Sequence, residues 1–329
     1  MALRDPHGRT IDYLRISLTP KCNFKCFYCR PQGDCLPGDY PALLTRAEIE
    51  TIVRVAAGLG IRKIRLTGGE PLLKPDLLPI LRSIAATPGI TDISLTTNGF
   101  FLARKAAALK KAGLNRVNIS LDSLNQERFR RITGGGRLPK IQAGMDAALR
   151  EGLTPLKINM VVIKGINDDE IRDFAALTRD RDIHIRFIEY MPLGDGHVQW
   201  QERYLSVKEI MAACRTLGPL EKLDKVLGNG PARYYRLAGH RGVLGFISPI
   251  SEHFCQTCNR FRVTSDGMLK PCLFSGEELN LREAMRDEEA LKKLFLDALK
   301  IKPSPESPPY LCQDLCAGSR VRGMVEIGG

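Results

Sequence analysis

Residues 13–29 read YLRISLTPKCNFKCFYC, a strand-like segment that runs straight into three cysteines. In its first half, apolar Leu14, Ile16 and Leu18 alternate with polar Arg15 and Ser17. That is the period-two pattern of a strand with one face buried. Its second half sets Cys22, Cys26 and Cys29 in a C-x3-C-x2-C spacing. Three thiolates on one short loop can hold three irons of a cubic [4Fe–4S] cluster. Cys35 lies too far along to be a fourth close ligand, so one iron would be left open to bind and activate something else. A zinc knuckle or unrelated buried thiols are the other readings of this spacing. Zinc wants a fourth Cys or His at short range, and no His lies between His7 and His184.

The same alternation recurs along the chain. Strand-like segments fall at 13–19, 63–67, 92–98, 116–122, 156–163 and 184–190, with helical patterns between them. One helix starts at Thr45, where Thr45 and Glu48 make a capping box before Ile49, Ile52 and Val53. Others fall near 76–86, 102–112, 139–151 and 169–178. Repeated β-α units argue for an α/β fold with a parallel sheet, and six of them for an open (β/α)6 barrel. A barrel that only packs its core fills the lumen with branched apolar residues. Here Lys63, Arg65 and Thr67, then Ser94, Thr96 and Asn98, then Asn118, Ser120 and Asp122, then Lys157 and Asn159, share one parity. The apolar parity must meet the helices, so the polar one faces a lumen suited to a charged ligand.

Past residue 195 the pattern changes. A helix is predicted at 206–214, strand and turn at 234–247, and an amphipathic helix near 281–300 before a Pro-rich loop at 302–309. A second trio, Cys255-x2-Cys258-x13-Cys272, stands in this part. A second [4Fe–4S] cluster with an open iron fits it; zinc completed by His253 is the other reading. The domain boundary is expected near residue 220, giving a partial barrel at 1–220 and an α+β extension at 221–329.

Composition narrows the function. The chain has 329 residues, 43% hydrophobic content and no apolar run of the ~18 residues that a membrane helix needs. The N-terminus lacks the apolar core of a secretory signal, so a cytoplasmic protein is expected. There its ten cysteines argue for metal or redox chemistry rather than disulfides. The net charge of +12 is spread along the chain, and aromatic residues make up only 6%. That leaves little for stacking bases, so a small anionic substrate is favoured over nucleic acid.

Gly68-Gly69-Glu70-Pro71 follows the second strand directly. Together with the first cysteine trio it resembles the signature of the radical S-adenosylmethionine (SAM) enzymes. The resemblance implies an incomplete (β/α)6 radical SAM barrel, SAM chelated by the open iron, and one-electron cleavage of SAM to a 5′-deoxyadenosyl radical. It also implies SAM contacts from Tyr28, Gly68, Gly69, Glu70, Ser120 and Met191.

The motifs KIRLTGGEPLL, TTNG, NISLDS, KINMVV, RFIEYMP and Cys255-x2-Cys258-Asn259-Arg260-Phe261-Arg262, and the Gly328-Gly329 end, stand in order. Nearly the whole chain is similar to the MoaA family, the GTP 3′,8-cyclases of molybdenum cofactor biosynthesis. This implies a lyase with two [4Fe–4S] clusters that cyclises GTP to (8S)-3′,8-cyclo-7,8-dihydroguanosine 5′-triphosphate. A downstream cyclic pyranopterin monophosphate synthase, a low-potential electron donor and a homodimer are implied as partners. Arg15, Lys63, Arg65, Thr96, Lys157, Arg186, Arg260 and Arg262 would hold GTP. The second cluster would bind the guanine, and the Gly328-Gly329 tail would reach the active site, drawn in by Arg320 and Arg322. Cys312 and Cys316 depart from the family pattern. The alternatives are a two-cluster radical SAM peptide maturase, or an iron–sulfur electron carrier or sensor without SAM chemistry.

Overall fold

The computed structural model describes residues 2–29, 42–192, 200–224, 230–307 and 322–328. Cys35, Cys312, Cys316, Arg320 and Gly329 lie outside the described residues. The six alternating segments become β1 (Tyr13–Ser17), β2 (Lys63–Thr67), β3 (Asp92–Thr97), β4 (Arg116–Ser120), β5 (Leu156–Val162) and β6 (Ile183–Glu189). Each is parallel to the next. Between them lie α1 (Arg46–Gly58), α2 (Leu77–Ala86), α3 (Leu102–Lys111), α4 (Gln126–Thr133), α5 (Leu138–Arg150) and α6 (Ile171–Ala176). The expected open barrel of β-α units is what forms.

Alternation fixes the register. Leu14, Ile16, Ile64, Leu66, Leu95, Val117, Ile119, Ile158 and Ile185 are fully buried in one core with Ile49, Ile52 and Val53 of α1 and Ile80 and Leu81 of α2. Each such side chain contributes roughly 1.5–3 kcal/mol on burial. A one-residue slip would exchange them for Arg15 and Arg65, so the pairing has no competing register. α1 starts where its capping box sets it: Glu48 N–H donates to Thr45 Oγ1 (3.2 Å), and Thr45 N–H donates to Glu48 Oε2 (2.7 Å).

After β6 come α7 (Trp200–Arg203) and α8 (Val207–Arg215), then β7 (Leu220–Leu223), β8 (Arg233–Leu237), β9 (Val243–Ile247), β10 (Arg260–Val263), β11 (Met268–Lys270) and β12 (Leu279–Asn280). β10 pairs in parallel with β1, and β9 in parallel with β6. The sheet therefore runs β12-β11-β10-β1-β2-β3-β4-β5-β6-β9-β8-β7 and is continuous across residue 220. The later strands prolong the barrel sheet at both of its edges.

Three local features differ from the sequence expectation. α4 is an additional helix, capped by Asn125 and ended by Gly134 in the left-handed region at φ 66°. Its eight residues bury only Phe129, Ile132 and Thr133, too few to give a clear period. The predicted helix at 169–178 begins as a 3₁₀ turn, Asp168–Glu170, before α6. The predicted helix at 281–300 splits into a 3₁₀ turn, Leu281–Ala284, and α9 (Glu288–Lys300). Asp287 starts the second piece by accepting from Glu289 and Ala290 N–H. The chain's last described helix is α10 (Met324–Ile327). Among the described residues no helix is long and apolar enough to cross a membrane.

Candidate active site

The loop after β1 carries the first trio, and the loop after β2 is pressed against it. A Cβ on Gly68 would lie 2.5 Å from the Thr19 carbonyl oxygen, and one on Gly69 2.5 Å from that of Lys21. Gly68 also has φ 146°, which only glycine adopts cheaply. Glu70 locks this junction. Its buried carboxylate accepts from Leu72 N–H (2.9 Å), Thr97 Oγ1 (2.7 Å) and Asn98 N–H (2.8 Å). Burial pushes it up to about 7 despite those donors.

One cavity is lined by Cys22, Cys26 and Cys29 and also by Cys255, Cys258 and Cys272. Tyr28, Gly68, Gly69, Thr96, Ser120 and Met191 line it too, as do Arg15, Arg65, Arg186, Arg260 and Arg262. Sequence spacing alone does not bring the two trios, over two hundred residues apart, to one cavity; the parallel pairing of β10 with β1 does so, with Cys258 ahead of the start of β10 and Cys22 beyond the end of β1.

Register arranges the cations. Arg15 stands opposite Arg262 on one side and Arg65 on the other, giving a row across β10, β1 and β2. Arg186 donates to Asn159 Oδ1 (2.8 Å) and Asn118 Oδ1 (2.9 Å). Burial, then mutual repulsion, holds Arg15 well below its ordinary value. Burial is also the main cause that lowers Arg65 and Arg262 to about 10. They stay charged at neutral pH, and a polyanion would relieve the crowding.

Lys63 and Lys157 are not among the cavity-lining residues. Lys63 pairs with Asp12 (2.7 Å) at the start of β2. Lys157 is 2% exposed, with Nζ 3.3 Å from the Tyr234 hydroxyl. Burial, followed by Arg186, Arg116 and Arg65, presses it down to about 6.

Other residues that the alternation turns toward the lumen line the cavity as well. Asp122 accepts from the Tyr28 hydroxyl (2.6 Å) and from Val161 N–H (3.0 Å), and burial raises it to about 6. It shares the parity of Asn118 and Ser120 and lines the cavity two residues beyond the end of β4. Asn98, Asn159 and Met324 also line the cavity. The tail reaches the same wall: Arg262 donates to the Gly328 carbonyl (2.8 Å). A Cβ on Gly328 would lie 2.4 Å from Thr67 Cγ2. Arg322 is held by Asp266 Oδ2 (2.9 Å) and Glu278 Oε1 (2.9 Å) rather than directed at the cavity.

The two trios sit in different surroundings. Cys22 Sγ accepts from Phe24 N–H (3.4 Å), a neutral donor. Burial, then Cys29 and Asp122, raises the Cys26 thiol well above its usual range. At the second trio, Lys302 Nζ lies 3.5 Å from Cys258 Sγ. Burial would push Cys258 up, but Lys302 and Arg260 more than offset it and bring it to about 7. Cys255 is pushed up to about 11 by burial and its neighbouring thiols.

The donor set fits iron–sulfur clusters and SAM. All six residues are partly buried thiols, not disulfides. Among the described residues no three His, Cys, Asp or Glu side chains are gathered tightly enough for a single metal ion, whereas a cubane spreads its three thiolates across separate irons. Among the described residues Thr96 Oγ1 and Arg260 Nε are buried with no hydrogen-bond partner, as groups awaiting a ligand would be.

Residues 16–178 match the family model described as the radical SAM superfamily, which with this sheet and the Cys-rich loop defines a radical SAM protein. Residues 183–307 match the model described as Molybdenum Cofactor Synthesis C. The chain is 46% identical over 330 residues to GTP 3′,8-cyclase of Listeria monocytogenes, covering 99% of both chains. It is 44% identical over 329 residues to that of Heliobacterium modesticaldum, again with 99% of each covered. The chain belongs to the GTP 3′,8-cyclase family. Among solved structures, SuiB of Streptococcus suis shares the fold with a TM-score of 0.60 at 16% identity, over 91% of this chain and 68% of that one.

Proposed function

We propose that the protein converts GTP to (8S)-3′,8-cyclo-7,8-dihydroguanosine 5′-triphosphate, the opening step of molybdenum cofactor biosynthesis. The observation that carries this is a single cavity onto which two cysteine trios open, with a row of buried arginines beside them. Cys22, Cys26 and Cys29 would hold one [4Fe–4S] cluster, and Cys255, Cys258 and Cys272 a second. Gly68, Gly69 and Glu70 shape the backbone beside the SAM amino group, Tyr28 lies where the adenine would stack, and Ser120 and Met191 complete that pocket. Bound there, the first cluster and SAM supply one-electron cleavage of the sulfonium and removal of the ribose 3′ hydrogen.

The chain's own residues then do the positioning. Arg15, Arg65, Arg186, Arg260 and Arg262 take the triphosphate, whose roughly four charges suit guanidinium forks. Thr96 lies beside them; outside the cavity lining, Lys63 is held by Asp12, and Lys157 would take up a proton when the triphosphate binds. The second trio would fix the guanine through its open iron. Holding both ends of GTP brings C3′ and C8 together and suppresses other reactions. Phe24, Ile188, Ile247 and Phe254 line the same cavity and keep water from the reacting carbons. Gly328 supports the wall through Arg262, with Gly329 beyond it. On this reading residues 1–220 form the catalytic barrel and 221–329 the substrate-anchoring extension. A low-potential donor supplies electrons, a cyclic pyranopterin monophosphate synthase consumes the product, and the enzyme works as a cytoplasmic homodimer.

The test is anaerobic incubation of the reconstituted protein with SAM, dithionite and each nucleoside triphosphate in turn. Release of 5′-deoxyadenosine with a cyclised product from GTP alone is the expected result. 5′-Deoxyadenosine without a cyclised nucleotide from any of them would overturn the assignment.

A further inference from the structure

Lys302 lies two residues beyond α9 and is 4% exposed. An ammonium has three N–H donors, and this one makes three contacts. It donates to the Pro271 carbonyl (2.6 Å), to the Arg260 carbonyl (3.1 Å) and toward Cys258 Sγ (3.5 Å). Pro271 precedes Cys272, and Arg260 follows Cys258 by two residues, so one side chain grips the chain at two members of the trio. The third is gripped by Arg9, which donates to the Cys255 carbonyl (3.0 Å) and to the Pro303 carbonyl beside Lys302 (2.8 Å). Arg9 is neutralised by Asp5. Lys302 is not: among the described residues its hydrogen-bond partners are two carbonyls and a thiol, with no carboxylate.

A buried ammonium without a counter-charge is costly. The Lys302 site makes physical sense if negative charge belongs beside it. Three thiolates and the sulfides of a cluster supply that charge. A cation donating to a ligand sulfur stabilises the reduced, more negative state of a cluster and so raises its potential. At the first trio, Cys22 Sγ accepts from the Phe24 N–H and, at longer range, from the Asn98 amide, and the charge near Cys26 is that of Asp122.

We propose that Lys302, backed by Arg9, is a positioning residue that holds the second trio in its ligating arrangement and sets the second cluster at a higher potential than its thiolates alone would give. The inference rests on the two-cluster reading above. It is tested in full-length protein whose first trio is replaced by alanine, so that only the second cluster reports. Iron content and an EPR-monitored redox titration are compared for this parent and its Lys302→Met and Lys302→Arg variants, with thermal melting in parallel. The midpoint should fall in Lys302→Met and stay near the parent in Lys302→Arg, which keeps the charge. Loss of iron from Lys302→Met alone supports the same role, because Arg restores it. A loaded Lys302→Met protein with the parent's midpoint overturns the inference, as does equal iron loss from both variants. A parent that binds no iron defeats the two-cluster reading itself, and this inference with it.

Discussion

The two cysteine trios share one cavity but are built in opposite ways. The first is a local device: eight residues of one loop, seated by Gly68, Gly69 and Glu70 on the adjacent strand end, with the Phe24 N–H donating to Cys22 and an acidic neighbour. The second is assembled from distant parts, with Arg9 and Lys302 closing in from near both ends of the chain. The first has an acidic neighbour, Asp122, and the second sets the Lys302 ammonium against Cys258 Sγ. A site that must deliver an electron to SAM gains from the former, and a site that must grip an electron-rich base gains from the latter.

The sharpest break between them is expected from Cys26→Ala, which should end 5′-deoxyadenosine formation while the helical circular dichroism stays that of the parent. Undiminished 5′-deoxyadenosine would remove the first trio from its role. Replacing Cys255, Cys258 and Cys272 together by alanine should do something different. Iron should fall by about half, given one cluster per trio, and SAM cleavage should survive while the cyclised nucleotide disappears. If that variant cyclises GTP normally, the two trios do not divide the work as described.

Between these lies the tail. Gly328 has φ 82°, and its missing Cβ is what lets it sit on Thr67. Gly328→Ala should therefore spare iron content and SAM binding but cut cyclisation strongly; full turnover would make the tail a frayed end. Arg262→Ala tests the row of cations. Losing one charge-assisted phosphate contact should cost about 1.5–3 kcal/mol of GTP binding, and affinity in the parent should weaken from GTP to GDP to GMP. Equal affinities across that series would refute a phosphate clamp.

The smallest effect is protonic. Lys157 has its pKa lowered to about 6, so the folded protein holds it neutral at pH 7–8 while the unfolded chain would protonate it. Its contribution to stability is thus present at high pH and is lost as pH falls toward 6. A triphosphate nearby would restore its charge, so GTP binding should take up to about one proton and weaken as pH rises. Calorimetry in buffers of different ionisation enthalpy reads this directly, and buffer-independent heats would separate Lys157 from the substrate.

Much of this was legible in the sequence because alternation reports which face a residue occupies. It put Arg15, Arg65, Thr96, Ser120 and Asn159 toward the lumen, and the structure lines the cavity with all five. Alternation does not report which partner a side chain takes. Lys63 and Lys157 have the right parity, yet Lys63 pairs with Asp12, Lys157 Nζ lies 3.3 Å from the Tyr234 hydroxyl, and neither lines the cavity. Spacing named both trios but not that they open on one cavity, which depends on β10 choosing β1. Arg322 looked like a lure for an anionic substrate, whereas its partners Asp266 and Glu278 lie far from it in sequence and no local pattern links them. α4 escaped notice because two buried apolar residues do not make a period.

That choice of partner has a consequence for how the protein is made. Tyr13 of β1 pairs with Lys63 early, but its other neighbour, Arg260, belongs to a strand synthesised some 250 residues later. Until β10 leaves the ribosome, β1 is a bare sheet edge with unpaired N–H and C=O groups, a template for any passing strand. Contacts of such long sequence separation also form slowly. The nascent chain therefore carries a finished first cysteine loop beside an unprotected edge for most of its synthesis. A chain terminated before β10 would be more prone to aggregate than its length suggests.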